Sequence, residues 1–106
     1  MANANDWITE RLLSISGEID VRAMMGDHVV YFRKKVVGGV YDGRLMVKIA
    51  RSSESMLGKA ERAEPYEGAK QMLVVPRDHI ADAEKILALF EALYADLPPL
   101  KRKRGV

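Results

Sequence analysis

The feature that most constrains this chain is an Asp-Gly pair at residues 42–43, set between two runs of strand-forming residues. The run before the pair is VVGGVY (36–41), and the run after it is LMVKI (45–49). Asp-Gly between such runs is a strong hairpin signal, because a tight primed turn needs positive φ at both central residues. A further run, HVVYF (28–32), precedes these two. We therefore predict a three-stranded antiparallel meander from about residue 27 to residue 49.

Helical periodicity flanks this meander on both sides. Apolar residues recur at helical spacing over residues 8–15. An apolar period of 3.6 residues predicts a last helix that starts near Asp78 or Asp82 and runs to about Asp96. Between the meander and the last helix, residues 51–63 have the pattern of a short helix and residues 70–75 that of a strand. The order is α-β-β-β-α-β-α. It predicts an α+β fold with an antiparallel sheet of four or more strands and helices packed on one face.

Length and composition limit the class of protein. A chain of 106 residues, of which 48% are hydrophobic and 30% charged, corresponds to one globular domain with a modest core. We assign residues 1–100 to this domain and residues 101–106 to a basic tail. The sequence contains no cysteine, no apolar run long enough to span a bilayer and no signal-peptide pattern at its start. We therefore expect a cytoplasmic protein without a membrane anchor.

The net charge of +2 depends on the C-terminal end. The tail supplies four of the 17 basic residues, so that residues 1–100 have a net charge of −2. A nucleic-acid-binding domain normally carries its basic surface on the fold. Clustered basic residues can nevertheless add weak, salt-sensitive attraction for DNA. The candidate nucleic-acid contacts are Arg33, Lys34 and Lys35 at a hairpin tip and Lys101, Arg102, Lys103 and Arg104 in the tail.

No pattern in the sequence indicates catalysis or cofactor binding. His28 and His79 have no serine or carboxylate in a recognisable arrangement, and two histidines without cysteine make a poor metal site. The pair Gly38-Gly39 lies within a strand pattern, so its position fits neither phosphate-binding fingerprint. We interpret the pair as a bulge, or as a place where a helix packs closely against the strand. We expect no catalytic residue, no metal and no cofactor.

Several stretches, in order, resemble the TfoX/Sxy N-terminal domain family. VRAMMG (21–26) resembles the family's Arg-x-Met-(Phe or Met)-Gly signature, and VVGGVYDGRLMVKI (36–49) resembles its second and third strands. AEPYEGAKQMLVVP (63–76) resembles its Pro-aromatic loop and following strand, and LPPLK (97–101) the ending of short stand-alone members. The resemblance covers about residues 6–101. The positions that match the family pattern, which we expect to be mainly structural, are Arg22, Met24, Met25, Gly26, Gly39, Asp42, Gly43, Leu45 and Pro65.

Two positions depart from the family pattern, and one matching position has two interpretations. Met25 stands where phenylalanine is commoner, and the first hairpin carries Arg-Lys-Lys (33–35) where a turn containing glycine is usual. Arg22 is either a buried side chain that satisfies carbonyl groups near Gly26 or a recognition residue.

The resemblance implies an α+β fold akin to that of secretion chaperones, and no known catalysis. The full-length namesakes regulate natural DNA uptake together with the cyclic-AMP receptor protein, and they carry a second, C-terminal helical domain that we do not expect here. Our leading interpretation is a non-enzymatic bacterial regulatory module that binds a protein partner through a sheet edge or helix face. A homodimer is left open. The alternatives are a weak, non-specific DNA-associated protein that uses residues 33–35 and the tail, and a small-ligand binder.

Overall fold

The computed structural model describes residues 4–24 and 27–98. Helices and a single sheet make up the α+β fold that the sequence predicts. The elements are α1 (Ala4–Ile15), β1 (Ile19–Met24), β2 (Asp27–Phe32), β3 (Lys35–Tyr41), β4 (Arg44–Val47), α2 (Arg51–Leu57), β5 (Arg62–Ala63), β6 (Met72–Val74), α3 (Arg77–Ile80) and α4 (Ala83–Asp96).

Within residues 4–24 and 27–98 the sheet has six antiparallel strands, in the order β1-β2-β3-β4-β6-β5. The predicted meander is confirmed as β2, β3 and β4. The predicted order lacks β1 and β5, and the structure has the short helix α3 before α4. In β1 the charged residues Asp20 and Arg22 interrupt the apolar pattern, and β5 is only two residues long. Neither strand therefore has the continuous apolar run that marks a buried strand in sequence.

Two of the hairpin turns have primed geometry. Asp42 and Gly43 have φ of 53° and 76°, which confirms the predicted two-residue turn between β3 and β4. Arg33 and Lys34, which connect β2 to β3, also have positive φ, at 50° and 73°. The departure from a glycine-containing turn thus leaves the turn's geometry intact and puts two non-glycine residues in the left-handed region.

The four helices of the described residues pack on one face of the sheet. Each of them buries side chains in the same core, together with strand residues such as Phe32 and Leu45. Side-chain bonds connect the helices: Arg11 of α1 donates to the carbonyl oxygens of Ile80 and Ala81. The helical members of the core are Ile8 and Leu12 of α1, Leu57 of α2, Ile80 of α3, and Ile86, Leu89, Phe90 and Leu93 of α4.

The glycine pair in β3 coincides with a β-bulge. Val30 of β2 pairs with Gly38, whereas the next residue, Tyr31, pairs with Val36, so that Val37 is the extra residue. A Cβ at Gly38 would collide with a backbone carbonyl oxygen of β4. The bulge interpretation is therefore confirmed. The alternative of a closely packed helix is wrong, because the neighbour that excludes a side chain at Gly38 is a strand.

Within residues 4–24 and 27–98, no helix is both long enough and apolar enough to cross a membrane.

Candidate functional site

The sheet has a second face that the helices leave uncovered. Paired residues of antiparallel strands point to the same face, and neighbours along a strand alternate between faces. Because Val30 and Leu45 point into the core, Tyr31, Val36 and Met46 point away from it. We call this surface the helix-free face. Its strand residues include Asp20, Arg22, Val29, Tyr31, Val36, Gly39, Tyr41, Met46, Met72 and Val74.

The loop between β5 and β6, residues 64–71, lies against part of the helix-free face. Its Tyr66 ring meets the Tyr41 ring with centroids 6.5 Å apart and planes at 61°. The carbonyl oxygen of Tyr66 accepts a hydrogen bond from the amide of Ala69 at 3.0 Å, and Gly68 has φ of +87°. This is the conformation of a type II turn, which requires positive φ at its third residue. The turn thereby presents Tyr66, which is 63% exposed, beside the sheet.

A glycine provides the space for the Tyr41 ring. A Cβ at Gly39 would lie 2.6 Å from three atoms of that ring. Met46, which pairs with Gly39 across the strands, is fully buried although it points away from the core. Burial raises the pKa of the Tyr41 phenol, with further contributions from Tyr66 and Asp27. Tyr41 therefore keeps its proton at neutral pH and offers a hydroxyl donor.

A groove of about 550 Å³ lies between this loop and the sheet. Most of the side chains that line it are apolar or aromatic, which suits the burial of an apolar group from a ligand. They include Val36, Tyr41, Ile49, Pro65, Tyr66 and Met72.

Two lysines, Lys48 and Lys70, also line this groove, and we call it the lysine groove. Both side chains are exposed, and neither forms an ion pair with a carboxylate in the described part of the chain. Other basic residues of the same sheet do: Arg62 of β5 binds Glu54 at 2.6 Å. The lysine groove thus combines two lysines, without an ion pair among the described residues, with two phenols and an apolar lining. That combination can bind carboxylate groups carried on an apolar backbone or side chain.

A second groove, of about 710 Å³, lies beside β1, and its charges are paired. Arg22 binds Asp20 at 3.2 Å, and its guanidinium lies 5.4 Å from the centre of the Tyr31 ring. The Arg22 side chain is 69% exposed, so the interpretation of a buried arginine is wrong. Opposite charges within one groove leave little net attraction for a charged ligand.

Arg33, at the same groove, is also paired with carboxylates. Its guanidinium binds Glu18 at 2.8 Å and approaches Glu91 at 3.6 Å. The hydrogen bonds from Arg33 hold the pKa of the Glu18 carboxyl below its usual range. The same pair raises the pKa of Arg33. Two carboxylates therefore neutralise the first basic residue of the predicted hairpin cluster.

The other two residues of the hairpin tip differ from each other. Lys35 is 8% exposed, and its Nζ donates to the carbonyl oxygens of Tyr94 at 2.7 Å and Leu97 at 3.1 Å. Its ammonium also lies 4.3 Å from the centre of the Tyr94 ring. Lys35 therefore caps the C-terminal end of α4, where the last carbonyls need donors. Lys34 is exposed, with no ion pair among the described residues.

The other predicted positions are distributed over the fold. Gly39 lies against the Tyr41 side chain, and Pro65 lines the lysine groove. Asp42 and Gly43 form the turn, and Leu45 is in the core. Met24 ends β1. Met25, Gly26, Lys101, Arg102, Lys103 and Arg104 lie outside the described residues.

Sequence reasoning missed the lysine groove itself. Lys48 and Lys70 are isolated in the sequence, and no charge cluster marks them. The signal that was present is the Pro-Tyr pair of residues 65–66 in a polar loop, because an aromatic residue there has no strand or helix of its own to pack in. In the described part of the chain, no group of three or more His, Cys, Asp or Glu residues could hold a metal ion.

Comparison with known proteins gives the family. The sequence profile of the TfoX N-terminal domain matches residues 11–96, a range that includes both grooves' strands and α4. The chain is also similar to the "Uncharacterized 12.7 kDa protein in trpE 5'region" of Spirochaeta aurantia, with 29% identity over 87 residues. That alignment covers 82% of this chain and 75% of the relative. The TfoX N-terminal domain family is not known as enzymatic. The chain belongs to the TfoX N-terminal domain family.

Proposed function

We propose that this protein is a non-enzymatic regulatory module that binds a polypeptide partner in the lysine groove. The observation that carries the proposal is the pair of exposed lysines, Lys48 and Lys70. Both line a mainly apolar groove, and neither has a carboxylate partner among the described residues. Membership in a family of regulatory type supports binding over catalysis. The lack of cysteine suits a reducing cytoplasm, where we place the protein.

The chemistry of the groove favours an acidic segment that also carries apolar side chains. Carboxylates of such a segment would pair with Lys48 and Lys70. The hydroxyls of Tyr41 and Tyr66 would donate hydrogen bonds to the segment, and their rings would stack on its aromatic side chains. Residues 1–100 are net negative, so this attraction is local to the groove and is opposed elsewhere on the domain. That contrast favours one docking position over general adhesion to acidic proteins.

A peptide selection tests this proposal and requires no choice of partner beforehand. The immobilised protein would select from a random library of displayed peptides, and individual peptides would then be titrated by fluorescence anisotropy. We expect enrichment of peptides that combine Asp or Glu with aromatic or branched apolar residues. The double variant Lys48→Glu/Lys70→Glu should lose their binding by about a hundredfold or more, because each reversal replaces an attraction by a repulsion.

A matched control comes from Lys59 and Lys85, which are also exposed lysines without an ion pair among the described residues. Lys59→Glu/Lys85→Glu makes the same change in net charge away from the lysine groove and should leave peptide affinity within about threefold. Enriched peptides without acidic residues, or equal losses in the two double variants, would refute the assignment of the groove. A small anionic molecule that binds while no peptide does would point to the small-ligand alternative.

One observation favours weak DNA association as a second candidate. The bond from Lys35 to the carbonyl of Leu97 sets the hairpin tip beside the end of α4, shortly before the basic residues 101–104. The hairpin tip therefore lies near Pro98, where the described residues end. Pairing of Arg33 with Glu18 and Glu91 and the capping role of Lys35 leave Lys34 as the available charge of the hairpin tip.

Salt dependence and truncation test this second candidate. The tail alone offers four phosphate contacts, which correspond to a slope of log affinity against log salt of about −3.6. With Lys34 as a fifth contact, the slope should be no steeper than about −4.5. Contacts without base readout also imply little sequence preference. A chain that stops after Leu100 should lose most of the binding to duplex DNA, measured at low and moderate salt. Tight, sequence-specific binding that survives truncation would instead show that the folded domain reads DNA, and would replace our first proposal.

A further inference from the structure

Strand β1 is an open edge of the sheet. It pairs with β2 on one side, and within the described residues no strand pairs with its other side. At six residues it is much longer than β5, the strand at the opposite edge. An edge of this length presents backbone donors and acceptors that another strand can use.

The hydrogen bonding of Glu18 identifies which backbone groups point outward. The carbonyl oxygen of Glu18 accepts from the amide of Arg33 at 3.0 Å, so Glu18 directs its backbone groups towards β2. Because these directions alternate along an antiparallel strand, Asp20 and Arg22 also bond towards β2, whereas Val21 and Ala23 point outward. No residue of the described chain bonds to the outward groups of Val21 or Ala23.

The side chains along β1 carry charges of alternating sign. Asp20 and Arg22 lie on the helix-free face, with side chains 57% and 69% exposed. Between them, Val21 packs against the core from its half-buried position. In the isolated chain the two charged residues pair with each other, at 3.2 Å. Such an exposed pair contributes little and is free to exchange partners.

We propose that two copies of this chain pair through β1, antiparallel and in a register centred on Val21. In that register the outward groups of Val21 meet those of the partner subunit's Val21, as the hydrogen-bonding alternation requires. Asp20 then lies directly opposite Arg22 of the partner subunit, and the two-fold axis repeats the contact. The interface is therefore self-complementary in charge and in the bonds between the two Val21 residues. The Ala23 amide faces the carbonyl of the partner subunit's Ile19, while the Ile19 amide donates to Ser16 of its own chain at 3.2 Å.

Charge disfavours the neighbouring registers. A two-fold axis at Asp20 would put two aspartates directly opposite each other, and an axis at Arg22 would oppose two arginines. Like charges in directly opposite positions of a strand pair are destabilising. An axis at Asp20 would also bring Arg22 opposite Glu18 of the partner subunit, but Glu18 is already bound to Arg33 at 2.8 Å. Charges often protect an edge strand from association by repelling a second copy. In the register centred on Val21, the alternating charges of β1 attract a second copy instead of repelling it. For this reason we propose a second copy, and not another protein, as the partner of the β1 edge.

The interface is small, so the dimer should be weak. A pair of six-residue strands buries less surface than the roughly 1,200–2,000 Å² typical of stable complexes. We expect the dimeric fraction to increase with protein concentration between the micromolar and millimolar ranges. Sedimentation velocity over that range measures it, and amide hydrogen exchange locates it, because the amides of Val21 and Ala23 should gain protection as the concentration rises.

Charge-reversal variants test the register. Asp20→Arg and Arg22→Asp should each weaken dimerisation roughly tenfold, because the symmetry converts two attractions into two repulsions. The double variant Asp20→Arg/Arg22→Asp restores opposite charges across the interface and should dimerise like the wild type. A general effect of charge or of local unfolding would not be reversed in this way, and thermal unfolding of each variant checks that it is folded.

A proline variant tests the backbone bonds independently of charge. The Ala23 side chain is exposed and its amide points outward, so Ala23→Pro removes a donor for the second copy without breaking a bond to β2. This variant should be folded and monomeric. A wild-type chain that stays monomeric at millimolar concentration would refute the proposal. So would single reversals that dimerise as strongly as the wild type, or a dimer in which Val21 and Ala23 gain no protection.

Discussion

The hairpin tip at residues 33–35 and the lysine groove both carry lysine and aromatic side chains, but they use the charge differently. At the tip, Arg33 is paired with two carboxylates and Lys35 donates to two carbonyls of α4. At the groove, Lys48 and Lys70 have no ion pair in the described part of the chain. A basic cluster in a sequence can therefore be structural, while isolated lysines can form the surface that is available to a ligand.

The largest expected effect that separates the two regions is on stability. Lys35→Met keeps the apolar stem but leaves the carbonyls of Tyr94 and Leu97 without a charged donor. We expect a loss of about 2 kcal/mol in the free energy of unfolding, since hydrogen bonds to charged groups contribute about 1.5–3 kcal/mol. Lys70→Met at the groove should change it by less than about 0.5 kcal/mol. Urea unfolding of both variants measures the difference, and equal effects would contradict the structural role of Lys35.

A smaller effect, of opposite sign, is expected at Lys34. This residue has φ of 73°, a conformation that is unfavourable for a side chain by roughly 1–2 kcal/mol and open to glycine. Lys34→Gly should stabilise the domain by about 0.5–1 kcal/mol. This figure is what remains once the greater loss of conformational entropy by glycine on folding is subtracted. The control Lys34→Ala removes the same charge without relieving the backbone and should not stabilise. Stabilisation by both variants would show charge repulsion at the tip to be the cause.

The smallest effect concerns the pH dependence of the pair between Glu18 and Arg33. Because Arg33 lowers the pKa of Glu18, the pair favours the folded state above the usual carboxyl pKa. That contribution disappears as the pH falls through the lowered pKa. In Arg33→Gln, an NMR titration should find the Glu18 pKa back in its usual range. An unchanged pKa in this variant would mean that the charge of Arg33 is not what neutralises Glu18, and the tip would then be more basic than described.

Local chemistry determined which parts of the fold the sequence could predict. The turn at residues 42–43 was predictable because its geometry depends on two adjacent residues, and the apolar period of α4 because burial acts on one helix face. Strand β1 was not, since charged residues occupy its exposed positions and resemble a loop in sequence. The lysine groove was not predictable either. Whether Lys48 has a carboxylate near it depends on chain segments far apart in sequence.

Leu97 belongs to two parts of the structure at once. Its carbonyl oxygen accepts from Lys35 at 3.1 Å, and the residue also lines the lysine groove. A ligand that contacts Leu97 in its present position will favour the capped end of α4. Coupling between two sites is reciprocal, so loss of the Lys35 cap will weaken the binding of that ligand by the same coupling free energy. The hairpin tip is thereby energetically coupled to ligand binding in the lysine groove, although it does not contact the ligand.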